Sequence, residues 1–183
     1  MMKTLILDRD GVINVDSPDY IKTPEEWVAL PQSIEAIVLA SAAGWRVFVA
    51  SNQSGLSRGL FDQAMLDRIF AKMFSTIKQE GGYIEACVYC PHAPEEGCEC
   101  RKPKPGLLFQ IRDQYHVDLS SAIMVGDSLR DIEAARQANV RPILVKTGNG
   151  EKTLEKHPEL KKEIIIYSSL WEAVVALLKN EKN

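Results

Sequence analysis

Short apolar runs alternate with amphipathic segments along most of the chain, and this alternation constrains the fold more than any other feature. The apolar runs have the length of buried strands and cover residues 3–7, 46–50, 84–89, 122–125, 142–145 and 164–166. Helical periodicity predicts helices over 33–43, around 65–77, after Pro105, over 129–138 and over 170–178. Strands that alternate with helices are joined by right-handed crossovers, so we predict a doubly wound, mostly parallel, Rossmann-like α/β sheet.

The stretch between the first strand and the first helix lacks a regular period. Residues 11–31 hold three prolines, and we predict a long irregular segment there. Ser33 is predicted to cap the helix that follows, and Gly44 is predicted to end it.

The size and charge of the chain exclude several classes of protein. A length of 183 residues fits a single domain, 1–183. The net charge of −3 argues against a nucleic-acid or membrane partner, and no apolar run approaches the ~20 residues of a membrane span. Asp8 comes too early for a signal peptide. We therefore expect a cytoplasmic monomer that acts on a small molecule.

Polar and acidic residues follow three of the predicted strands. Asp8 and Asp10 follow the first, Ser51 follows the second, and Asp127 follows the fourth. The carboxyl ends of parallel strands meet at one edge of a sheet, where ligands bind. Asp8 and Asp10 project to the same side of an extended chain, and Asp127 completes an oxygen set that suits Mg²⁺. Each acid alone is typical of an ordinary turn, but their order along the strands indicates a phosphoryl-transfer site.

All four cysteines lie within residues 87–100, which indicates a local metal site rather than a disulfide framework. Cys90, His92, Cys98 and Cys100 form a set suited to tetrahedral Zn²⁺. The spacing also allows a second ligand set in which Cys87 replaces His92, although Cys87 falls within an apolar strand. Four protein ligands leave no position for substrate, so this ion is structural. The loop 90–100 directly precedes a basic stretch, 101–105.

These motifs together resemble the haloacid dehalogenase superfamily of phosphatases over nearly the whole chain. Asp8-Arg9-Asp10-Gly11-Val12 resembles the first motif of that family and Ser51 the second. Lys102 resembles the third motif, with Lys104 as a competing candidate, and Gly126-Asp127-Ser128 with Asp131 resembles the fourth.

The resemblance implies a role for each motif residue. Asp8 is the nucleophile that forms an aspartyl-phosphate, and Asp10 is the general acid and then the general base. Mg²⁺ is held by the carboxylates of Asp8 and Asp127 and by the backbone carbonyl of Asp10. Ser51 and Lys102 hold the phosphoryl oxygens. No insertion of about 50 residues is present to form a mobile cap, so only loops 14–24 and 54–61 and the zinc loop rim the site.

The zinc loop is similar to that of two branches of the superfamily. One removes the 7-phosphate of D-glycero-D-manno-heptose 1,7-bisphosphate, on the way to nucleotide-activated heptose for lipopolysaccharide or related glycans, and the other hydrolyses histidinol phosphate. The loop 51–61, with its Arg58-Gly59 pair, resembles the first branch. Arg58 and Arg101 are then candidates to bind the second phosphate. The full set of implied substrate-binding residues is Asp16, Tyr20, Asn52, Gln53, Ser54, Arg58, Arg101 and Ser128.

Three other classes fit the sequence less well. A phospho-receiver signalling module places its acceptor Asp after a central strand, usually the third. Here the second and third predicted strands end at Ser51 and at Tyr89-Cys90. A zinc-stabilised interaction module leaves the strand-end acids unexplained. A nucleotide-binding enzyme is disfavoured because no G-x-G-x-x-G follows the first strand.

Overall fold

The computed structural model describes residues 3–180 and contains six parallel strands between layers of helices. The strands are β1 to β6, with bounds Thr4–Leu7, Arg46–Asn52, Ala86–Cys90, Ala122–Gly126, Arg141–Val145 and Ile165–Tyr167. The helices are α1 to α7, with bounds Ser33–Ala42, Gln63–Gln79, Gly106–Tyr115, Leu129–Gln137, Gly150–Lys156, Leu160–Glu163 and Leu170–Asn180. Short 3₁₀ turns lie at Pro24–Glu26, Pro94–Glu96 and Leu119–Ser121.

The two faces of the sheet bury separate sets of apolar side chains. Leu5 and Leu7 of β1 pack with α1, α2 and α7 on one face. Ile6 of β1 points the other way and packs with α3 and α4. The alternation follows from the two-residue period of a strand, so every side chain of β1 is buried on one face or the other.

The strand order places β1 and β4 at the centre of the sheet, so the site at their carboxyl ends is central too. The order is β3-β2-β1-β4-β5-β6, so the chain runs outward from β1 in both directions. Loops after β1 and β4 therefore diverge to opposite faces of the sheet and leave a crevice at their carboxyl ends. The predicted site residues that follow these strands meet in this crevice.

The predicted doubly wound α/β sheet is confirmed, with every strand pair parallel. Helices α5 and α6 have no counterpart in the sequence prediction, because they are short and carry few apolar residues. The first two and last three residues, over which the single-domain prediction extends, lie outside the described residues. Each helix within 3–180 is too short or too polar to cross a membrane.

The prediction that Ser33 caps α1 is wrong. Gln32 occupies the cap position, and Ser33 is the first residue of the helix. The Ser33 hydroxyl donates to the carbonyls of Ile13 (2.6 Å) and Leu30 (2.9 Å) instead of accepting from a helix amide. It thereby fastens the irregular segment 11–31 to the start of α1. Gly44, with φ +80°, ends the helix as predicted.

Candidate active site

A cavity of about 210 Å³ opens at the carboxyl ends of β1, β2 and β4. Residues from five segments that are distant in sequence form its wall. They are Asp8, Arg9, Asp10, Asp16, Ser17, Pro18, Tyr20, Ile21, Asn52, Gln53, Ser54, Arg101, Lys102, Asp127, Ser128, Arg130, Asp131 and Asn149.

A buried lysine joins two of the carboxylates at the bottom of this cavity. Lys102 Nζ lies 2.8 Å from Asp8 Oδ1 and 2.7 Å from Asp131 Oδ1. It also donates to the carbonyl of Ala50 (2.8 Å). Burial alone would lower the pKa of Lys102, but the two carboxylates outweigh burial and raise the pKa above its ordinary value. Lys102 therefore stays charged beside Asp8.

Asp10 lies beside Asp8 and is held by donors from three side chains. Arg9 donates from Nε (3.1 Å) and Nη2 (2.9 Å) to Asp10 Oδ1. Asn14 Nδ2 donates to Oδ1 (2.9 Å), and Gln53 Nε2 donates to Oδ2 (3.1 Å). Because β1 ends at Leu7, just before Asp8 and Asp10, both carboxylates reach the same cavity although their environments differ.

Two glycines make room for the carboxylate of Asp127. A Cβ on Gly11 would lie 2.1 Å from Asp127 Oδ2, and one on Gly148 would lie 2.2 Å from the same atom. Both glycines have positive φ, +83° and +57°, which side-chain-bearing residues rarely adopt. Asp127 Oδ2 accepts from the backbone N–H of Asn149 (2.7 Å). Its position therefore depends on the loop after β5 as well as on β4.

The charges around this cluster suit a divalent cation. Oxygens of Asp8, Asp127 and Asp131 lie within 4.8 Å of one another, and Lys102 neutralises one of the three charges. Both oxygens of Asp131 are already used, one by Lys102 and one by the N–H and hydroxyl of Ser128. Asp131 is therefore engaged in fixing Lys102, and Asp8 and Asp127 are the better placed of the three to hold Mg²⁺.

Burial and neighbouring carboxylates raise the pKa values of the two proposed magnesium ligands. Burial raises the pKa of Asp8 to about 7, with the Asp131 carboxylate adding to the rise and Lys102 opposing it. Burial also raises the pKa of Asp127 to about 8, with further contributions from Asp8 and Asp131. A bound cation would favour the ionised forms of both groups.

The predicted zinc set forms one compact cluster. Cys90 Sγ lies 3.5 Å from His92 Nδ1 and 3.5 Å from Cys98 Sγ, and Cys100 Sγ lies 3.4 Å from His92 Nδ1. All four ligand atoms lie within 4.8 Å of one another, as the corners of a tetrahedron with metal–sulfur bonds of ~2.3 Å require. Cys87 lies outside this cluster and packs against the core, so His92 completes the set that could hold zinc.

The zinc loop is tied directly to the phosphate-facing cations. Arg101 Nη1 donates to the carbonyl of His92 (3.1 Å). Asn52 forms a reciprocal pair with Lys102: its Nδ2 donates to the Lys102 carbonyl (3.0 Å) and its Oδ1 accepts from the Lys102 amide (3.1 Å). The loop therefore positions Arg101 from one side, while β2 fixes the backbone of Lys102 from the other.

Most of the residues predicted for the site line the cavity. Exceptions are Ser51 and Arg58. Ser51 is completely buried, and its hydroxyl accepts from Gln53 Nε2 (2.8 Å). Arg58 pairs with Glu95 (3.5 Å), an exposed residue of the zinc loop. Lys104 pairs with Glu99 (2.5 Å), and Lys102 is the lysine that reaches Asp8.

Sequence reasoning missed two polar residues of the wall. Asn149 is not among the predicted site residues, but its Nδ2 donates to Asp16 Oδ2 (2.9 Å). The position of Gly148-Asn149-Gly150 just after the fifth predicted strand was a signal for it. Arg130 also lines the cavity. The signal for Arg130 was its place between Ser128 and Asp131 of the fourth motif, in the first turn of α4.

A carboxylate beside a buried lysine, on a doubly wound sheet with an acidic cluster that could hold a metal ion, is typical of a phosphohydrolase of the haloacid dehalogenase class. Residues 99–173 match the hydrolase-like family described as HAD-hydrolase-like. A D-glycero-beta-D-manno-heptose-1,7-bisphosphate 7-phosphatase of Pseudomonas aeruginosa is 53% identical over 175 residues, which are 96% of this chain and 97% of that one. The enzyme of the same name from Escherichia coli K12 is 36% identical, with 79% of each chain covered.

A solved structure agrees with these sequence relatives. The crystal structure of the D,D-heptose 1,7-bisphosphate phosphatase from B. bronchiseptica, complexed with magnesium and phosphate, is 49% identical. It superimposes with a TM-score of 0.94 over 98% of this chain and 99% of that chain. The chain therefore belongs to the D-glycero-D-manno-heptose-1,7-bisphosphate 7-phosphatase family of the haloacid dehalogenase superfamily.

Replacing a zinc ligand should disorganise the active site from outside the cavity. In Cys98→Ser we expect zinc content to fall from one ion per chain to near zero. Phosphatase kcat/KM should fall about a hundredfold, because a misplacement of Arg101 and Lys102 by an ångström is costly. Metal analysis and steady-state kinetics on the same preparation measure both effects.

Cys87→Ala is the matched control, since Cys87 is a partly buried cysteine outside the cluster. It should retain one zinc per chain. Zinc loss in Cys87→Ala together with full zinc content in Cys98→Ser would contradict the assignment of ligands.

Magnesium should stabilise the protein more at high pH than at low pH. The folded-state pKa values of Asp8 and Asp127, about 7 and 8, exceed the ~4 of an unfolded Asp. The magnesium-free protein therefore loses stability as pH rises from about 4 through 8, while Mg²⁺ binds the ionised carboxylates. At pH 8.5, Mg²⁺ at a hundredfold its Kd should raise Tm by about 5–10 °C.

Thermal unfolding at pH 6.0 to 8.5, with zinc left in place and magnesium present or removed, measures this gain. Asp127→Asn should lose most of it. A larger gain at pH 6.0 than at pH 8.5 would show that the two carboxylates do not control magnesium binding.

Proposed function

We propose that this protein hydrolyses the 7-phosphate of D-glycero-β-D-manno-heptose 1,7-bisphosphate through an aspartyl-phosphate. The observation that carries the proposal is the placement of Asp8 in the cavity, 2.8 Å from the buried amine of Lys102. The names and high identity of the relatives support the choice of substrate.

Asp8 is the proposed nucleophile. Its Oδ1 is held by Lys102 and by the backbone N–H of Arg9 (2.8 Å), which fixes the orientation of the carboxylate. The free oxygen attacks phosphorus, an acyl-phosphate bond forms, and the bond from phosphorus to the sugar O7 breaks. Lys102 lies within reach of the phosphoryl oxygens and balances their charge as the group transfers.

Asp8 and Asp127, with the backbone carbonyl of Asp10 as a predicted third ligand, would hold Mg²⁺. When bound, the cation neutralises charge that would otherwise repel an anionic nucleophile from an anionic phosphate. Because Gly11 and Gly148 have no Cβ, the space beside Asp127 stays clear of side chains.

Asp10 is the proposed acid and base. It gives its proton to O7 as the sugar leaves, and the resulting carboxylate then takes a proton from the water that attacks the aspartyl-phosphate. Inorganic phosphate leaves and Asp8 is restored. Arg9, Asn14 and Gln53 hold the Asp10 carboxylate beside Asp8, so that one residue can serve both steps.

The role proposed for Ser51, which is to bind a phosphoryl oxygen, requires its hydroxyl to form a contact other than the one it makes in this structure. Ser51 is predicted to hold a phosphoryl oxygen, whereas its hydroxyl accepts from Gln53 in this structure. Since Gln53 also donates to Asp10, Ser51 already supports the placement of the acid–base residue. Direct contact with substrate stays a prediction.

The remaining wall residues suit a sugar phosphate in an open cleft. Asp16, Tyr20 and Ser54 offer hydroxyl and carboxylate groups that can bond to sugar hydroxyls, and Arg101 offers a cation to the second phosphate. We also predict a monomeric, single-domain, cytoplasmic enzyme that serves the synthesis of nucleotide-activated heptose. The clustering of all four cysteines within residues 87–100, as a metal-ligand set rather than a disulfide framework, favours a reducing compartment.

A paired substrate assay tests the choice of substrate. We expect kcat/KM for the heptose bisphosphate to exceed that for histidinol phosphate by at least about a hundredfold, because a second phosphate can add charge-assisted bonds. Phosphate release from each compound by the zinc- and magnesium-loaded enzyme measures the ratio. A reversed preference would assign the protein to histidinol-phosphate hydrolysis.

Asp8→Asn should abolish turnover, with a loss of at least about a thousandfold in kcat, because an amide cannot form the acyl-phosphate. Circular dichroism and metal analysis should show the fold and zinc content intact. Asp67→Asn is a matched control on the exposed face of α2, where the carboxylate accepts from Gln63. Normal turnover in Asp8→Asn would refute the mechanism.

A further inference from the structure

Two cations on the cavity wall, Arg101 and Arg130, have no carboxylate partner among the described residues. Arg9 is paired with Asp10, and Lys102 with Asp8 and Asp131. Among residues 3–180, Arg130 makes neither a hydrogen bond nor a salt bridge, although it lines the same cavity. Its exposed guanidinium is therefore available to an anionic ligand.

The position of Arg130 in its helix is electrostatically unfavourable. Ser128 caps α4 and Leu129 begins it, so Arg130 lies in the first turn. The N-terminal turn of a helix carries partial positive charge and favours acids over bases. Asp131, the acid of this turn, directs its oxygens to Lys102 and Ser128 instead of Arg130. A cation in this place gains stability when an anion binds beside it.

Arg130 also lies near a second guanidinium. Arg101 and Arg130 both line the active-site cavity and the same neighbouring hollow, so their two positive charges repel each other. Arg101 is held in place by the carbonyl of His92, a neutral acceptor. An anion between the two arginines would relieve this repulsion, since each guanidinium can donate two parallel bonds to a phosphate.

The two arginines lie where the active-site cavity meets a second hollow. That hollow has a volume of about 250 Å³ and also touches the zinc loop. Its other lining residues are Pro94, Gly97, Cys98, Pro103 and Lys104, and none of these carries a carboxylate. A ligand that extends from Asp8 past Arg101 and Arg130 thus enters a basic region with space beyond it.

We propose that Arg130 is a specificity-determining residue that binds, together with Arg101, the phosphate that is not hydrolysed. This inference rests on the proposed function, because it needs a substrate with two phosphates. Arg58, the other predicted contact, is less well placed, since it pairs with Glu95 and lies off the cavity wall. The zinc loop provides Arg101 and the start of α4 provides Arg130.

The test compares two substrates that differ in the distal phosphate alone. D-glycero-D-manno-heptose 1,7-bisphosphate carries it, and the 7-phosphate of the same sugar lacks it. In Arg130→Ala the ratio of kcat/KM for the bisphosphate to that for the monophosphate should fall about 10–100-fold, as expected for loss of charge-assisted bonds. Most of this change should come from KM for the bisphosphate, because the distal group does not react.

Two further variants separate charge, geometry and general effects. Arg130→Lys keeps the charge but loses the two-pronged donor, so its ratio should lie between those of wild type and Arg130→Ala. Arg136→Ala removes an arginine from the same helix that pairs with Glu163 outside the cavity, and its ratio should equal that of wild type. Zinc content and Tm of each variant show whether the fold is retained.

The outcomes separate this inference from the proposed function. If wild type prefers the bisphosphate and Arg130→Ala keeps that preference, the role of Arg130 is refuted and the proposed function stands. If wild type shows no preference, the proposed substrate and the role of Arg130 both fail. An equal fall in the ratio for Arg130→Ala and Arg136→Ala would also refute a specific contact.

Discussion

The ion pairs of Lys102 are the interaction on which the rest of the site depends. The amine is buried at the carboxyl edge of the sheet and lies between Asp8 and Asp131. A buried charge is tolerated only when it is paired, and removing one partner of such a pair typically costs about 3–5 kcal/mol. The pairing therefore holds Asp8, the proposed nucleophile, in position and makes the third and fourth motifs parts of a single network. Because that network still carries excess negative charge, it also favours binding of a divalent cation.

The zinc loop explains how a lysine outside the regular elements reaches this depth. Residues 91–105 form no strand or α-helix, so hydrophobic packing of regular elements cannot set their path. The four-ligand cluster supplies the missing constraint, and Arg101 is bonded to the carbonyl of one ligand residue, His92. Asn52 then clamps the backbone of Lys102 to the end of β2. The two metals thus have separate tasks, zinc in shaping the loop and magnesium in the chemistry.

The distribution of cations around the cavity matches a substrate with phosphates at both ends. Lys102 and the proposed magnesium ligands lie together at the bottom of the cavity, where we propose that the reacting phosphate binds. Arg101 and Arg130 lie toward a second hollow. Residues 3–180 form no large cap domain, so we propose that these charges and short loops hold the ligand.

The sequence alone determined the sheet, the strand-end acids and the zinc ligand spacing. Parallel strands bring their carboxyl ends together wherever they occur, so Asp8 and Asp127 could be placed in one site without coordinates. The contacts of Asn149, Arg58 and Arg130 were decided by tertiary structure. Asn149 meets Asp127 across a loop, Arg58 turns to a glutamate of the zinc loop, and Arg130 faces the cavity without a counter-charge. Periodicity and spacing report local conformation, whereas these contacts depend on how distant loops pack against one another.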